Sequence, residues 1–296
     1  MTIRIVRAGP LTTIQDAGRP GQLRHGISAS GPMDRTSFRR AGGWLGAASS
    51  AGIEFTQAGL SFLVEDEGVS CAFDGGDFTL KVDGVSQLWP TRVVLGPGSV
   101  VDILPGGAGN YGYIRFDREI DVPVVMGSRA TSSIAGLGGF DGRALGKGDV
   151  LRFGAALAPG RAPHPHAAEV AAGPIRVTWG IHADGFDPAI RQRFVEESFV
   201  ISNQIDRMGV RLTDRANVFA GAGILSLVSD AVVPGDVQIL GDGTPIVLMR
   251  DHQPTGGYPR IATVVTADLD RLAQLRPGSE VRFEPITVAH AQELMR

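Results

Sequence analysis

Short apolar runs that alternate with polar residues recur along most of this chain, and turn residues separate them. Between Gly52 and Leu104 the alternation has a period of two, which predicts strands with one buried face. The apolar runs Val237–Leu240 and Pro245–Met249 are joined by Gly241-Asp242-Gly243. This spacing is a strong hairpin signal, because glycine accepts the positive φ of such turns. We therefore predict a mainly β chain arranged as a sandwich or barrel.

Helical spacing is confined to a few segments. Apolar residues on one face predict a helix over Arg35–Gly46, which Ser30 or Asp34 could cap. The pair Asp187-Pro188 predicts the start of a second helix, with Asp as the cap and Pro at the first position. Val122–Met126 is apolar and is predicted as a further strand.

One segment of low complexity divides the chain. Residues 155–174 are rich in Ala, Pro and Gly, which is typical of a linker between domains. We therefore predict an N-terminal β-barrel half over residues 1–154 and a C-terminal β-barrel half over residues 175–296.

Composition narrows the class of protein. The 41 glycines among 296 residues are about twice the usual ~7% share, which favours many tight turns. The net charge is −3 and there is no basic stripe, so nucleic acid is not an expected partner. No apolar run reaches the ~18 residues of a membrane span. Cys71 is the single cysteine and lies in an apolar run, so we expect a buried thiol, no disulfide, no metal site and a cytoplasmic location.

Arginine supplies nearly all of the positive charge, since the chain has only two lysines, Lys81 and Lys147. Lys147 follows Gly146 but precedes Gly148 and Asp149, where a phosphate-binding P-loop would have Ser or Thr. The sequence therefore lacks a P-loop. If the protein uses ATP, another pattern or another subunit must hold the nucleotide.

The loop after the hairpin is the main candidate site. Gln253, Thr255 and Tyr258 place polar groups within six residues, and Gly256-Gly257 lets backbone N–H groups approach a ligand closely. A polar loop held between apolar strands is typical of a rigid binding site. The alternative is a surface turn that only reverses the chain.

Three further loops combine an arginine with a carboxylate or hydroxyl group. Each arginine could bind an anionic ligand, because guanidinium groups bind carboxylate and phosphate in a bidentate manner. The alternative is pairing with the neighbouring carboxylate for Arg19 and Arg207, and a solvated turn for Arg129. In the same way, Ser30 either caps the first helix or helps its free N–H groups to bind an anion. The loops contain Asp16 and Arg19, Ser128 and Arg129, and Asp206 and Arg207.

Several motifs, among them the six given below in chain order, resemble those of one family along nearly the whole chain. The family is the C subunit of prokaryotic 5-oxoprolinase, also described as KipA-like or allophanate hydrolase subunit 2, which is related to the carboxyltransferase part of urea carboxylase. This chain departs from the common family pattern at His252, Pro254 and Arg260. The matching motifs are Thr13–Gly21, Ser30–Asp34, Gly127–Thr131, Asp206–Gly209, Pro234–Gln238 and Thr255–Pro259.

The resemblance implies a cyclophilin-like β-barrel and an ATP-dependent opening of 5-oxoproline to glutamate. It also implies two partners, a KipI-like B subunit and an A subunit, with ATP bound by or shared with a partner. The substrate would be a small anionic amide. Two other functions are possible: a KipA-like regulatory subunit that binds a KipI-like partner, or a carboxyltransferase-like component of a urea or allophanate pathway. This chain has no Met-Lys-Met sequence for biotin attachment.

If the resemblance holds, the site residues divide by chemistry. Asp16 and Asp34 are the candidates for a general base or for orienting other groups. Gln253 and Tyr258, with Thr255, would orient the amide, and the backbone of Gly256 and Gly257 would support an oxyanion. We expect all of these residues to converge on one pocket. The anion-binding candidates are Arg19, Ser30, Ser128, Arg129 and Arg207.

Overall fold

Antiparallel strands account for most of the chain, so the predicted mainly β fold is confirmed. The structure is a computed structural model that describes residues 1–46, 50–157, 173–221 and 227–295. The described residues form two compact units. The first contains Met1–Pro20 and the described part of 29–168, and the second contains Gly21–Ser28 and the described part of 169–296.

Residues 21–28 group with the second unit, although they lie within the predicted N-terminal half. Most of the predicted linker, 155–174, lies outside the described residues.

The first unit contains two antiparallel sheets that share one apolar core. The seven-stranded sheet has the order β11-β12-β1-β4-β9-β6-β7, and the five-stranded sheet has the order β2-β3-β10-β5-β8. Phe62 of the larger sheet contacts Phe116 of the smaller one edge to face, with ring centroids 6.4 Å apart. The strands are β1 Thr2–Ala8, β2 Thr13–Gln15, β3 Gly52–Thr56, β4 Leu60–Val64, β5 Val69–Gly75, β6 Phe78–Val82, β7 Val85–Gln87, β8 Thr91–Leu95, β9 Val100–Pro105, β10 Tyr111–Phe116, β11 Arg118–Ile120 and β12 Val150–Ala156.

Cys71 lies on β5 in this core and is fully buried, as predicted. Burial, and then the nearby carboxylate of Asp117, raise the pKa of the Cys71 thiol well above its usual range. The thiol therefore stays protonated and packs as a small apolar side chain.

The predicted strand over Val122–Met126 is wrong. The chain leaves the sheet after Ile120, and Pro123 has no N–H group to donate to a neighbouring strand. Met126 has a positive φ of 54°, and Val125 pairs only with Ser128 across a tight turn. This turn brings Ser128 and Arg129 next to Asp16.

The predicted first helix is confirmed as α1, Arg35–Leu45. Asp34 has an extended backbone, and its carboxylate accepts a hydrogen bond from the Ser37 N–H at 2.9 Å and from the Ser37 hydroxyl at 2.6 Å. Asp34 is therefore the helix cap, one of the two roles that the sequence left open.

We expect Asp34→Ala to lower the free energy of unfolding by about 1 kcal/mol, the usual effect of losing an N-cap. Asp34→Asn retains an oxygen acceptor and should retain most of the stability. Chemical denaturation of both variants measures the difference. Equal losses in the two variants would contradict a capping role.

The second unit contains one eight-stranded sheet with the order β21-β14-β15-β18-β17-β20-β13-β22 and a short two-stranded ribbon, β16-β19. The strands at the two edges of the sheet, β21 and β22, lie next to each other in sequence, so the sheet is nearly closed. The elements are β13 Ile175–Trp179, α2 Pro188–Glu196, β14 Phe199–Ile205, β15 Gly209–Thr213, β16 Asp230–Ala231, β17 Asp236–Ile239, β18 Pro245–Leu248, β19 Thr255–Gly256, β20 Arg260–Val264, α3 Thr266–Ala273, β21 Glu280–Val281, β22 Phe283–Pro285 and α4 Val288–Glu293, with short 3-10 turns at Leu23–His25 and Ala183–Gly185.

Two local predictions for this unit are confirmed. Strands β17 and β18 form the predicted hairpin, and Gly243 in its turn has a φ of 84°. Asp187 caps α2 by accepting a hydrogen bond from Ala189 N–H, with Pro188 at the first helical position. The hairpin forms one wall of the cavity described below.

Candidate functional site

The residues predicted as a site fall into two groups, one in each unit, and each group is described within its own unit. Their convergence on a single pocket stays a prediction. The first unit contains Asp16, Arg19, Ser30, Asp34, Ser128 and Arg129, and the second contains Arg207, Gln253, Thr255, Gly256, Gly257 and Tyr258.

In the first unit, Asp16 joins two loops that are distant in sequence. Its Oδ1 accepts hydrogen bonds from Gly18 N–H at 2.8 Å and from the Ser128 hydroxyl at 2.6 Å. Its Oδ2 accepts one from Arg129 N–H at 2.6 Å. Both oxygens are thus engaged, and Asp16 fixes the Ser128–Arg129 turn.

Arg19 is buried, with 1% of its surface exposed, and it binds groups of the protein itself. Its guanidinium group donates to the Ser30 hydroxyl at 3.3 Å, to the carbonyl of Val125 at 3.5 Å and to the carbonyl of Ala130. Arg129, in contrast, is partly exposed, and its Nε lies 3.6 Å from the carboxylate of Glu119. Of these two arginines, Arg129 is the more accessible to a ligand.

A buried network supports the loop between Ser30 and α1, and sequence analysis missed two of its members. Tyr113 accepts a hydrogen bond from Asp34 N–H at 2.7 Å and donates one to Glu54 at 2.9 Å. The same Glu54 oxygen accepts a hydrogen bond from Met33 N–H at 2.7 Å. Burial, and then the charge of Glu54, raise the pKa of Tyr113 well above its usual range, so the phenol remains a donor.

In the second unit, Arg207 is paired with Asp251, which is 44 residues away in sequence. The guanidinium Nε lies 2.8 Å from Oδ2 and Nη2 lies 3.3 Å from Oδ1, and both side chains are almost fully buried. Asp206 instead accepts hydrogen bonds from the N–H groups of Met208 and Gly209 within its own turn. Arg207 therefore holds the 206–208 turn against the segment that follows β18.

A cavity of about 420 Å³ lies beside this ion pair, a volume that suits a small molecule. It contains two of the predicted site residues, Gln253 and Tyr258, whereas Arg207 does not line it. The positive charge in its wall comes from Arg211, which sequence analysis did not single out. The other residues of the wall are Asn203, Gln204, Ile205, Asp206, Met208, Gly209, Gln238, Leu240, Ile246 and Leu248.

A wider opening of about 870 Å³ shares Asn203, Gln204 and Arg211 with this cavity. None of the predicted site residues lines it. We therefore take the smaller cavity as the candidate site.

Gln238 lines the smaller cavity and is 1% exposed. Its Oε1 accepts a hydrogen bond from Gln253 Nε2 at 3.3 Å, but its own Nε2 has no partner within the described parts of the chain. A buried donor without a partner destabilises a protein by about 1–3 kcal/mol. The sequence carried a signal for this residue, since Gln238 interrupts the apolar run of β17.

The ribbon β16–β19 contains Thr255 and Gly256, and it positions Gly256 next to Gln238. Gly256 pairs with Asp230, and Arg260 holds the ribbon through the Asp230 carboxylate at 2.7 Å and the Ala231 carbonyl at 2.5 Å. The carbonyl of Gly257 accepts a hydrogen bond from Leu227 N–H at 2.6 Å. The predicted oxyanion role of the glycine backbone stays a prediction.

His252 precedes Gln253 and is 2% exposed. Its Nδ1–H donates to the carbonyl of Gln253 at 2.6 Å, which helps to fix the loop. Burial lowers the pKa of His252 below its ordinary value, although the Gln253 carbonyl and the carboxylates of Asp236 and Asp251 oppose the shift.

The lowered pKa predicts that stability falls in mild acid. Below about pH 6.5 an unfolded histidine binds a proton, whereas folded His252 does so only at a lower pH. The unfolded state then binds more protons, so stability decreases as the pH falls from about 6.5 to the folded pKa. We expect His252→Asn, which retains a donor near Nδ1, to reduce the difference in melting temperature between pH 7.5 and pH 5.5. An unchanged difference would contradict this assignment.

Within the described residues, no group of three or more His, Cys, Asp or Glu side chains is arranged to hold a metal ion. None of the helices there is long and apolar enough to cross a membrane.

Comparison with known proteins gives consistent results. The chain is 33% identical over 290 residues to the C subunit of 5-oxoprolinase from Escherichia coli K12, and the match covers 98% of this chain and 93% of that protein. It is 32% identical to the urea amidolyase of Lachancea kluyveri over 98% of this chain, but over only 17% of that protein.

A solved structure, the urea amidolyase of K. lactis, superposes with a TM-score of 0.89 at 26% identity, covering 99% of this chain and 19% of that one. This chain thus spans about a fifth of the amidolyases that it matches. Residues 25–285 match the family described as "Carboxyltransferase domain, subdomain A and B". The chain therefore belongs to the carboxyltransferase domain family and resembles the C subunit of 5-oxoprolinase over almost its whole length.

Proposed function

We propose that this chain is one subunit of an ATP-dependent complex that opens 5-oxoproline to glutamate in the cytoplasm. The observation that carries the proposal is the extent of the match. The chain is similar to 93% of the length of a 5-oxoprolinase C subunit, whereas in a urea amidolyase it corresponds to 17% of the protein. Because that relative is named as a subunit, we expect A-like and B-like partners, the latter resembling KipI.

In this proposal the cavity of the second unit receives the lactam. Gln253 and Tyr258 line the cavity and orient the amide by hydrogen bonds. Arg211 supplies the positive charge that the substrate carboxylate requires. In the first unit, Asp16 acts as a positioning residue, because its two oxygens already hold Gly18, Ser128 and Arg129.

We assign ATP to a partner subunit. The single Gly-Lys pair of the chain, Gly146-Lys147, does not fit a nucleotide phosphate. Gly146 N–H donates to Asp149 Oδ2 at 2.7 Å, and Gly148 N–H donates to the Ile5 carbonyl at 2.8 Å. The backbone donors that would hold a phosphate are thus already used, and this chain's own part is to bind and orient the organic substrate.

The test is reconstitution of the chain with A-like and B-like subunits. We expect ADP and glutamate to form in equal amounts from 5-oxoproline and ATP, and only when this chain is present. Gln253→Ala should lower kcat/KM by about 10- to 100-fold, the effect of one lost hydrogen bond to the reacting group. Gln192→Met, a change on the exposed face of α2, is the control. Absence of glutamate from the complete mixture overturns the proposal.

A carboxyltransferase role is the second candidate, and the TM-score of 0.89 to a urea amidolyase favours it. Biotin would then arrive on a partner, because this chain lacks the Met-Lys-Met sequence. A carboxybiotin-loaded carrier and urea, incubated with the chain, test this reaction directly. Stable binding of a KipI-like protein without turnover of either substrate would instead favour a regulatory role.

A further inference from the structure

The donor Gln238 Nε2 belongs to a residue of the cavity wall and lies close against the backbone of Gly256. A Cβ atom at residue 256 would lie 2.5 Å from this nitrogen and 3.4 Å from Gln253 Nε2, so only glycine lets the Gln238 amide lie this close to the ribbon. Gln253 and Gln238 are already linked, because Gln253 Nε2 donates to Gln238 Oε1. This link orients the Gln238 amide so that its N–H₂ group lacks an acceptor within the described residues.

The unused donor indicates the chemistry of the ligand. An N–H₂ group binds a carbonyl or carboxylate oxygen, and a neutral amide suits a neutral carbonyl. The one cation in the same wall is Arg211, whose guanidinium group forms no hydrogen bond or ion pair within the described chain. The acidic residue of the wall, Asp206, accepts hydrogen bonds from two backbone N–H groups of its own turn through Oδ1.

We propose that this cavity binds a small carboxylated amide, with its carbonyl oxygen on Gln238 Nε2 and its carboxylate on Arg211. Gln238 is then a substrate-binding residue, and Gly256 is a positioning residue that allows the Gln238 amide to keep its place beside the ribbon. The ligand class rests on the proposed function, with 5-oxoproline as its simplest member. The binding geometry rests on the cavity itself.

The test compares three ligands by calorimetry with the full chain. 5-Oxoproline has a ring carbonyl and a carboxylate, proline lacks the ring carbonyl, and 2-pyrrolidone lacks the carboxylate. We expect the wild-type protein to bind 5-oxoproline about tenfold or more tightly than either of the other ligands, which corresponds to one lost contact in each.

Each variant should remove one part of this preference. Gln238→Met should abolish the preference over proline, and Arg211→Met should abolish the preference over 2-pyrrolidone. Gly256→Ala would place a Cβ atom 2.5 Å from Gln238 Nε2 and displace the amide, so it should act like Gln238→Met. The matched controls are Gln192→Met and Arg215→Met, both at exposed positions of the same unit.

Thermal unfolding separates binding from structure. Gln238→Met removes a buried donor without a partner within the described residues, together with the 3.3 Å hydrogen bond from Gln253. These two effects oppose each other, so the melting temperature of the ligand-free protein should change little. A lower melting temperature together with unchanged ligand preference would assign Gln238 to the fold and overturn the proposal. Failure of the wild-type chain to distinguish the three ligands would overturn it as well.

The ligand-binding experiment and the turnover assay can fail independently of each other. If the reconstituted complex is inactive but the ligand preferences follow Gln238 and Arg211, the proposed activity fails and the binding site stands. If the complex opens 5-oxoproline and Gln238→Met retains wild-type kcat and KM, the binding site is overturned and the activity stands.

Discussion

Arg207→Met is expected to lower the free energy of unfolding by about 3–5 kcal/mol, because it leaves the Asp251 carboxylate buried without its partner. The two side chains are 3% and 1% exposed and are joined at 2.8 Å. Urea denaturation at neutral pH measures the loss. A buried charge cannot be compensated by water, so the effect should be large for a single substitution.

The double variant Arg207→Met/Asp251→Leu removes both charges and should recover much of the lost stability. Arg191→Met is the matched control, because Arg191 pairs with Asp184, whose side chain is 98% exposed. This control should change stability little, as is usual for surface ion pairs. If Arg207→Met proved as mild as Arg191→Met, the pair would not be a structural element of the second unit.

Arg19→Met is expected to destabilise the first unit by about 2–4 kcal/mol, since it removes hydrogen bonds to Ser30, Val125 and Ala130 from a buried site. Arg19→Lys should recover only part of this loss, because an ammonium group cannot reproduce the planar fork of a guanidinium group. Differential scanning calorimetry of the full chain measures both variants.

The control is Arg129→Met, which alters a partly exposed arginine of the same cluster. We expect it to change the melting temperature much less than Arg19→Met. An arginine whose purpose is to bind a ligand would show the reverse pattern, with stability retained and binding lost. That result for Arg19 would contradict its assignment to the framework of the loop.

The features that sequence analysis predicted correctly depend on neighbouring residues. The hairpin turn at Gly243 and the cap at Asp34 are determined within a few positions, by positive φ and by a side chain that satisfies free N–H groups. The burial of Cys71 was likewise predicted from the apolar residues next to it in the sequence. Such signals predicted the mainly β fold and the existence of α1.

The contacts that hold the predicted site residues in each unit are long-range, and this is why sequence analysis missed them. Asp16 binds Ser128 across 112 positions, and Arg207 binds Asp251 across 44. From the sequence, Asp206 was the only evident partner for Arg207. The sequence also did not show which arginine lines the cavity. Arg211 lies on β15, and the pairing of this strand with β18 decides the direction of its side chain.

The fully buried position of Cys71 has a practical consequence for spectroscopy. The chain contains no other cysteine, and a protonated thiol without solvent access does not react with maleimides. A cysteine introduced at an exposed position such as Gln204, at the rim of the cavity, would therefore be the one reactive thiol of the folded protein. A fluorophore attached there could report occupancy of the cavity without any prior removal of native thiols.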